Sequence, residues 1–303
     1  MVQLITVVDH DPKWVLKFND EKQKIDAILK SDCFAVYHIG STSVENLSAK
    51  PIIDILAVVR DLSLVDAKKS AFEEIGYEYL GEFGIKGRRY LRKGGDERTH
   101  QIHIFKYDNL DEIIRHLAFR DYLRANKDIC AEYAKLKKAL AVKFPYDIDG
   151  YCEGKDSFVK EYEQKALACY DSSWDRLYFA AKNIQTRREV SPFITAGPVS
   201  SALMTADGNI YTGICIDMVC SLGMCAERNA ISTMITNGEN KISKILALSS
   251  DGSIIMACGS CREFLMQLSK DSPAIEVLTD YERKIAVPLG TLLPNWWGTD
   301  QFS

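Results

Sequence analysis

The sequence predicts two α/β-type domains, an N-terminal α+β sheet with helices and a C-terminal α/β/α sandwich. Three observations predict this. The chain has 303 residues, more than one hydrophobic core usually serves. Short apolar runs with strand character alternate with amphipathic helical runs in both halves. A helical stretch from about Lys155 to Ala168 gives way to Tyr170-Asp171-Ser172-Ser173, where Ser172 with Asp175 reads as a capping box that opens a new helix. The domains are therefore placed at residues 1–168 and 172–303, with no internal repeat or low-complexity segment.

In the first domain, a short strand-like stretch follows Met1 and ends at Asp9-His10-Asp11-Pro12. Sheet strands are expected at Cys33 to His38, Ile52 to Val59, Tyr77 to Phe83, Arg89 to Arg92 and Thr99 to Phe105, followed by helices. Two of those helices show an apolar face, Ile113, Leu117, Phe119 and Leu123 in one and Ala131, Tyr133, Leu136, Leu140 and Val142 in the other. Most of these side chains are read as core. In a strand over 99–105, His100 and His103 point to opposite faces and are not placed to share a metal.

The most informative segments of this domain are His38-Ile39-Gly40-Ser41-Thr42-Ser43 and Ala49-Lys50-Pro51-Ile52-Ile53-Asp54-Ile55-Leu56. A second block is Arg98-Thr99-His100-Gln101-Ile102-His103-Ile104-Phe105, a third is His116-Leu117-Ala118-Phe119-Arg120-Asp121-Tyr122-Leu123, and Tyr151 and Lys155 follow. Together they resemble the GrpB family, and the resemblance implies a nucleotidyltransferase-like fold. In such folds a Gly-Ser turn lets a triphosphate approach closely and a strand bearing Asp-x-Asp holds paired metal ions. By resemblance Gly40, Ser41 and Asp54 occupy those positions, but the second acid is replaced by Leu56. Arg88 and Arg89, with Arg92 and Lys93, are candidates to grip phosphate; the same cluster also reads as a solvated basic hairpin. One carboxylate makes a weak metal site, so the expectation is a nucleotide-binding or docking domain without transferase activity.

The second domain is expected to open with a helix from Trp174 to about Thr186. A hairpin of Pro198 to Thr205 and Asn209 to Asp217 follows, around Ala206-Asp207-Gly208. Ala226, Ala230, Ile231, Met234 and Ile235 then recur at helical spacing, opened by Cys225 and stopped at Asn237-Gly238. Buried strands are expected at Lys244 to Ser249 and Ala274 to Thr279. A short apolar strand at Ser253 to Ala257 should lead into a helix that begins near Cys258.

Two segments of this domain carry chemistry, Cys225-Ala226-Glu227-Arg228 and Cys258-Gly259-Ser260-Cys261-Arg262. Zinc deaminases hold their metal with one His or Cys followed two residues later by Glu, and with a C-x-x-C pair from a second segment. A cysteine at a helix start has its thiolate favoured by free N–H groups and the helix dipole. Two such starts facing one another deliver three ligands and leave the fourth tetrahedral position of Zn²⁺ to water. Glu227 is placed to move protons there. All five histidines, His10, His38, His100, His103 and His116, lie in the first half, so the metal set is read as all cysteine unless the other half contributes a ligand. Three thiolates would blunt the metal's Lewis acidity, and Arg228 and Arg262 are the candidates to donate to sulfur. The alternative is a closed structural site with Cys215 or Cys220 as fourth ligand.

Residues from about 172 to 303 resemble the small cytidine deaminases, including the blasticidin S deaminase branch, and the likeness extends to the closing Leu292-Leu293-Pro294. The resemblance implies Cys225, Cys258 and Cys261 as zinc ligands, Glu227 as proton shuttle, Arg228 as partner of the ligand sulfurs, and a homo-oligomer, dimer or tetramer. It also places Cys215, Asp217 and Ala226 in the substrate site. The family binds ribose hydroxyls with an Asn and a Glu where this chain has Cys215 and Asp217, and it differs again at Ala257 and Glu263. Losing one sugar contact at a buried polar site costs on the order of 1–3 kcal/mol. The expected substrate is thus a modified cytosine nucleoside, an analogue such as an aminoacylated antibiotic, or another aminated heterocycle. Trp296 and Trp297 are candidates for a wall over the ring or for an oligomer contact.

Composition sets the limits. Lys and Arg number 38 against 42 Asp and Glu, and neither half is basic, which disfavours a duplex nucleic-acid partner. No apolar run suggests a signal peptide or a membrane span. Nine cysteines, three of them committed to metal, fit a reducing cytoplasm better than a disulfide scaffold. The sequence therefore points to a zinc-dependent hydrolase releasing ammonia from a cytosine-like ring of a small nucleoside-like molecule. The alternative is a nucleotide-sensing regulatory protein with a structural zinc site and a degenerate nucleotidyltransferase domain. Glu227 favours the enzyme, since a sensor has no use for a proton shuttle.

Overall fold

The structure, a computed structural model, describes residues 4–95 and 97–302. The chain divides into two compact units, Met1–Tyr170 and Asp171–Ser303. Unit 1 runs α1 (Lys13–Leu29), β1 (Cys33–Ile39), β2 (Ile53–Val59), α2 (Leu62–Asp66), α3 (Lys69–Glu74), β3 (Tyr77–Tyr79), β4 (Arg88–Lys93), β5 (His100–Lys106), α4 (Leu110–Ala125), α5 (Lys127–Lys143) and α6 (Ile148–Cys169). Its sheet has the order β1-β2-β5-β4-β3, and only β2 and β5 pair in parallel.

Alternation along the central strands gives the sheet two faces. Ile53, Ile55, Ala57 and Val59 of β2 pack with Ile102 and Ile104 of β5 against Trp14, Phe18, Ile25 and Leu29 of α1, Val65 and Phe72. The intervening residues, Asp54 and Leu56 on β2 and His103 and Phe105 on β5, belong to the opposite face. There the rings of His103 and Phe105 meet His116 of α4, and α4 packs on β1 and β2. Beyond them an aromatic stack of Tyr133 and Phe158, with centroids 4.7 Å apart, joins α5 to α6. The sheet is therefore covered on both faces, which explains why β2 is an almost unbroken apolar run.

Several expectations for this unit need correction. Helices do not only follow the sheet: α1 precedes it, and its apolar stripe was obscured by Val15 and Leu16, which face solvent. The third strand ends at Tyr79 instead of Phe83, because the chain turns through Gly81 and Gly84 in left-handed conformation (φ +65° and +87°). The closing helix begins at Ile148, where the Asp147 carboxylate accepts the Gly150 N–H at 3.0 Å. Of the strand-like opening, Val8 alone bridges to Ala49, and Met1 to Gln3 lie outside the described residues.

Unit 2 runs α7 (Ser173–Ile184), β6 (Arg188–Ser191), β7 (Ile194–Thr205), β8 (Ile210–Met218), α8 (Ala226–Thr236), β9 (Ile242–Leu248), β10 (Ile254–Ile255), α9 (Gly259–Met266), β11 (Glu276–Asp280), β12 (Ile285–Pro288) and α10 (Leu289–Leu292). The sheet path is β12-β11-β9-β7-β6, with β8 paired to β7 and β10 to β9. Adjacent residues of β9 again assign the layers. Ile245 packs with Ala230, Ile231 and Met234 of α8 and Leu265 and Met266 of α9, whereas Lys244 bonds Ser173 and lies over the Trp174 ring at the start of α7. The sheet thus has α7 on one face and α8 with α9 on the other. Both units are mixed α/β sheets.

The expected capping box at Ser172 does not form. Its side chain makes no cap, and the Asp171 carboxylate accepts the Ser173 N–H at 2.9 Å. Asp175 is fully buried and accepts from Tyr281 Oη at 2.7 Å and Lys284 Nζ at 2.5 Å, which ties α7 to the turn before β12. Its partners lie more than a hundred residues away, so no local pattern could have announced them. Among the described residues, no helix is long and apolar enough to cross a membrane.

Candidate functional site

Cys225 and Cys258 play the same structural part. Each is the N-cap of its helix in extended conformation (φ −67°, ψ 153° and φ −67°, ψ 167°), and each carbonyl accepts the first turn's N–H, from Asn229 at 3.2 Å and Arg262 at 3.0 Å. Cys261 sits one turn into α9 and is fully buried. The Sγ atoms of Cys225 and Cys258 are 3.7 Å apart and those of Cys258 and Cys261 3.4 Å, all three within 4.8 Å of one another. Zinc–sulfur bonds of about 2.3 Å at tetrahedral angles require sulfurs roughly 3.8 Å apart, so the donor set fits Zn²⁺ in both chemistry and spacing.

Glu227 completes the group. It lies two residues into α8, only 5% exposed, and burial raises its carboxyl above the ordinary value although its own backbone N–H and the Cys261 thiol favour the anion. Burial likewise pushes the Cys225 and Cys261 thiols up, the latter helped by the Glu227 charge. Cys258 differs: burial acts upward there too, but the backbone N–H groups of Cys261 and Ser260 and the neighbouring thiols outweigh it and lower its pKa. A helix start that favours one thiolate is a ready anchor for a cation.

The remaining residues expected here divide. Gly213, Cys215 and Asp217 share one face of β8, and a Cβ on Gly213 would lie 2.3 Å from Ala230 N and 2.4 Å from Ala226 O. Strand and helix therefore touch at Ala226, and Asn229 Nδ2 reinforces the contact by donating to Ile214 O at 2.7 Å. Cys215 is buried, accepts the Val199 N–H at 3.4 Å and reaches Asp217 at 3.9 Å. Neither Cys215 nor Cys220 belongs to the thiol group. Gly213 and Asn229 escaped the sequence reading; a glycine inside a strand was the available signal.

Arg262, expected to donate to sulfur, instead donates from Nε to Ala257 O at 2.7 Å and from Nη1 to Leu292 O at 3.2 Å. Its reach along α9 carries the guanidinium to the carbonyl just before Cys258, so it braces the ligand loop rather than the ligands. The Arg228 side chain is half-buried and makes no hydrogen bond or ion pair among the described residues. Glu263 accepts both indole N–H groups, from Trp296 at 2.9 Å and Trp297 at 3.1 Å, and so fastens the C-terminal segment to α9.

In unit 1, Gly40, Ser41 and Asp54 come together. Ile39 pairs with Asp54, and a Cβ on Gly40, whose φ is +67°, would lie 2.3 Å from Asp54 Oδ2. Ser41 Oγ accepts from Lys137 Nζ at 2.8 Å. Burial raises the Asp54 carboxyl to about 6 against the pull of Lys50, Lys155, Arg98 and Lys137. Arg88 and Arg89 are elsewhere. Arg88 pairs across the sheet with Phe105, itself opposite Val58, four residues along β2 from Asp54 and so about 13 Å away. It donates to Phe83 O at 2.6 Å and Glu82 O at 3.2 Å, while Arg89 forms a two-pronged ion pair with Asp66 at 2.6 and 2.8 Å. Both arginines are occupied in holding the β3–β4 turn and α2, which is what the local charge cluster could not reveal.

The fold and site define a two-unit α/β protein in which one unit carries a three-thiol, one-carboxylate centre at two helix starts. Residues 4–165 match the GrpB protein family, and the chain belongs to that family. It is 40% identical over 184 residues to the UPF0157 protein YqkA of Bacillus subtilis, covering 56% of this chain and 53% of that one, so the chain spans about half the length of that relative. The crystal structure of conserved protein GrpB from Enterococcus faecalis is 53% identical and covers 54% of this chain and 98% of that chain, with a TM-score of 0.53. The C-terminal portion resembles cytidine deaminases. That of Mycobacterium tuberculosis is 29% identical over 103 residues, 34% of this chain and 74% of that one.

Proposed function

We propose that unit 2 is a zinc-dependent hydrolase that releases ammonia from the amidine carbon of a cytosine-like ring in a nucleoside or nucleoside analogue. The observation that carries this reading is the buried Glu227 beside three thiols spaced for zinc. Cys225, Cys258 and Cys261 would hold the ion, which supplies Lewis acidity and a water acidified towards neutrality. Glu227 takes one proton from water as its oxygen adds to the ring carbon and passes it to the ring nitrogen, then takes the second from the added hydroxyl and hands it to the departing amine. Water is consumed, the carbon–amine bond breaks, and a ring carbonyl and ammonia remain. A buried carboxyl beside the thiols is placed for both halves of this proton traffic.

The face of β8 bearing Cys215 and Asp217 leads to Ala226 at the head of α8, and we assign it to substrate contact. A thiol there is a poor partner for a sugar hydroxyl, which favours a modified nucleoside or an analogue of the blasticidin S kind over plain cytidine. The relation to a cytidine deaminase at 29% identity supports the chemistry and leaves the substrate open. For unit 1 we infer a nucleotidyltransferase-like fold that binds without transferring, because Leu56 stands where a second metal-binding acid is needed. We place the protein in the cytoplasm as a homo-oligomer acting on a small molecule.

The test is a screen of free bases, nucleosides, nucleotides and nucleoside antibiotics for ammonia release. With the substrate it yields, Glu227→Gln should keep its zinc and lose turnover by roughly 10²-fold or more. Unchanged turnover in that variant would refute the assigned role.

A further inference from the structure

Helices α4 and α5 meet at Asn126, and the corner they make, with the segment 43–46 between β1 and β2, opens a cavity of about 530 Å³ in unit 1. Its floor is apolar. Leu123 of α4 and Cys130 of α5 are buried there, and burial pushes the Cys130 thiol up, so it stays protonated and packs as a small hydrophobe. Its rim is charged. Glu45 from the segment and Arg124 and Lys127 from the helices line it and are exposed. The volume lies within the roughly 300–1,000 Å³ of small-molecule sites, which combine an apolar lining with a few convergent polar groups.

The rim charges do not neutralise one another. Glu45 and Lys127 carry opposite charge on one cavity, yet neither charged group makes a hydrogen bond or ion pair among the described residues. Arg124 is fixed in place by donating from Nε and Nη2 to Ser43 O at 3.1 and 2.8 Å, but its carboxylate partner is shared. Asp121 accepts from Arg120 at 2.7 and 3.0 Å and reaches Arg124 only at 3.4 Å. A guanidinium has five N–H groups, so Arg124 keeps two donors beyond these three bonds. The helices therefore present positive charge and the segment a carboxylate, with apolar surface between them. The cavity is separate from the Gly40–Ser41 turn. Lys137, which reaches Ser41, lies seven residues beyond Cys130 on α5, about 10 Å at helical rise.

We propose that this cavity binds a small zwitterion with an apolar body, the chemistry of an apolar amino acid or short peptide. Glu45 takes its ammonium, Arg124 and Lys127 take its carboxylate, and Leu123 with Cys130 meets its apolar part. A simple anion would be repelled by Glu45, and a simple cation by Arg124 and Lys127, so the site selects for both charges on one molecule.

The experiment is calorimetric titration of the full chain with L-leucine and, separately, with L-leucyl-L-leucine. Saturable binding of at least one is expected, and the tighter ligand tells an amino-acid site from a peptide site. Two probes remove one charge each: 4-methylpentanoate lacks the ammonium and 3-methylbutylamine lacks the carboxylate. Each should bind about tenfold weaker than the zwitterion, as expected for losing one hydrogen-bonded charge. Glu45→Gln should weaken the zwitterion by a similar factor without weakening 4-methylpentanoate, and Lys127→Gln should do so without weakening 3-methylbutylamine. Both positions are exposed, and circular dichroism checks folding. Lys138→Gln, whose residue pairs with Asp9 on the surface, should change nothing. No saturable binding of either zwitterion, truncated probes that bind as tightly as the zwitterion, or binding unaffected by both Glu45→Gln and Lys127→Gln would overturn the site.

Discussion

The two units solve the same problem, placing charged chemistry beside a covered sheet, by opposite means. In unit 2 the reactive groups come from two short motifs at the starts of α8 and α9, each fixed by a helix cap. In unit 1 the groups around Asp54 come from residues 50, 98, 137 and 155, on four parts of the chain. A centre built from local motifs survives inspection of the sequence, because backbone geometry within one turn decides where its side chains point. A centre assembled from dispersed residues does not. No spacing relates Lys137 to Lys50, and Lys137 reads as one of several polar positions on an amphipathic helix.

The sharpest way to break this comparison is to remove one member of each cluster. Cys261→Ser in unit 2 should abolish zinc binding and lower the melting temperature, because the two remaining thiols, Cys225 and Cys258, cannot replace the missing buried thiolate. Zinc analysis and a thermal melt check this. Retained stoichiometric zinc would mean that the ion binds elsewhere. In unit 1 the corresponding loss of one lysine should weaken nucleotide binding by a factor without abolishing it.

A second, smaller effect tests the contact that positions α8. Gly213→Ala puts a Cβ within 2.4 Å of two backbone atoms of that helix, so strand and helix must separate. The expected cost is about 1–3 kcal/mol in denaturant titration, with weaker zinc binding as Cys225 shifts. A variant as stable as the parent would show that the helix is not seated on β8 as described.

The third effect is confined to unit 1. Burial lowers His38, stacked on Phe18 at 4.8 Å, to about 3 and His116 to about 4. Both stay neutral in the fold where the unfolded chain titrates near 6.5, so the unfolded state binds more protons on acidification. Their contribution is present above about pH 6.5 and is lost as pH falls towards 4. Melting temperatures should drop over that interval, and His38→Asn should flatten the slope. A slope unchanged in the variant would remove His38 from the account.

Particular residues show where sequence reading reached its limit. The strands of unit 1 were legible because Ile53 to Val59 form an apolar run that only a doubly covered strand tolerates. The thiol centre was legible because Cys225, Glu227, Cys258 and Cys261 carry their geometry in their spacing. What failed were inferences about long-range partners. Asp175 looked like a cap and is a buried acceptor for Tyr281 and Lys284. Arg262 looked like a donor to sulfur and braces Ala257 and Leu292. Arg88 and Arg89, open to reading as a phosphate grip or as a solvated basic hairpin, hold a turn and a helix. In each case the residue type was informative about charge and silent about which of several oxygens it would meet.

The central claim is that the thiol centre is an open zinc site. Metal analysis with X-ray absorption on the purified chain tests it most directly. The account predicts close to one zinc per chain, coordinated by three sulfurs and one oxygen; four sulfurs around the ion, or no zinc at all, would contradict it.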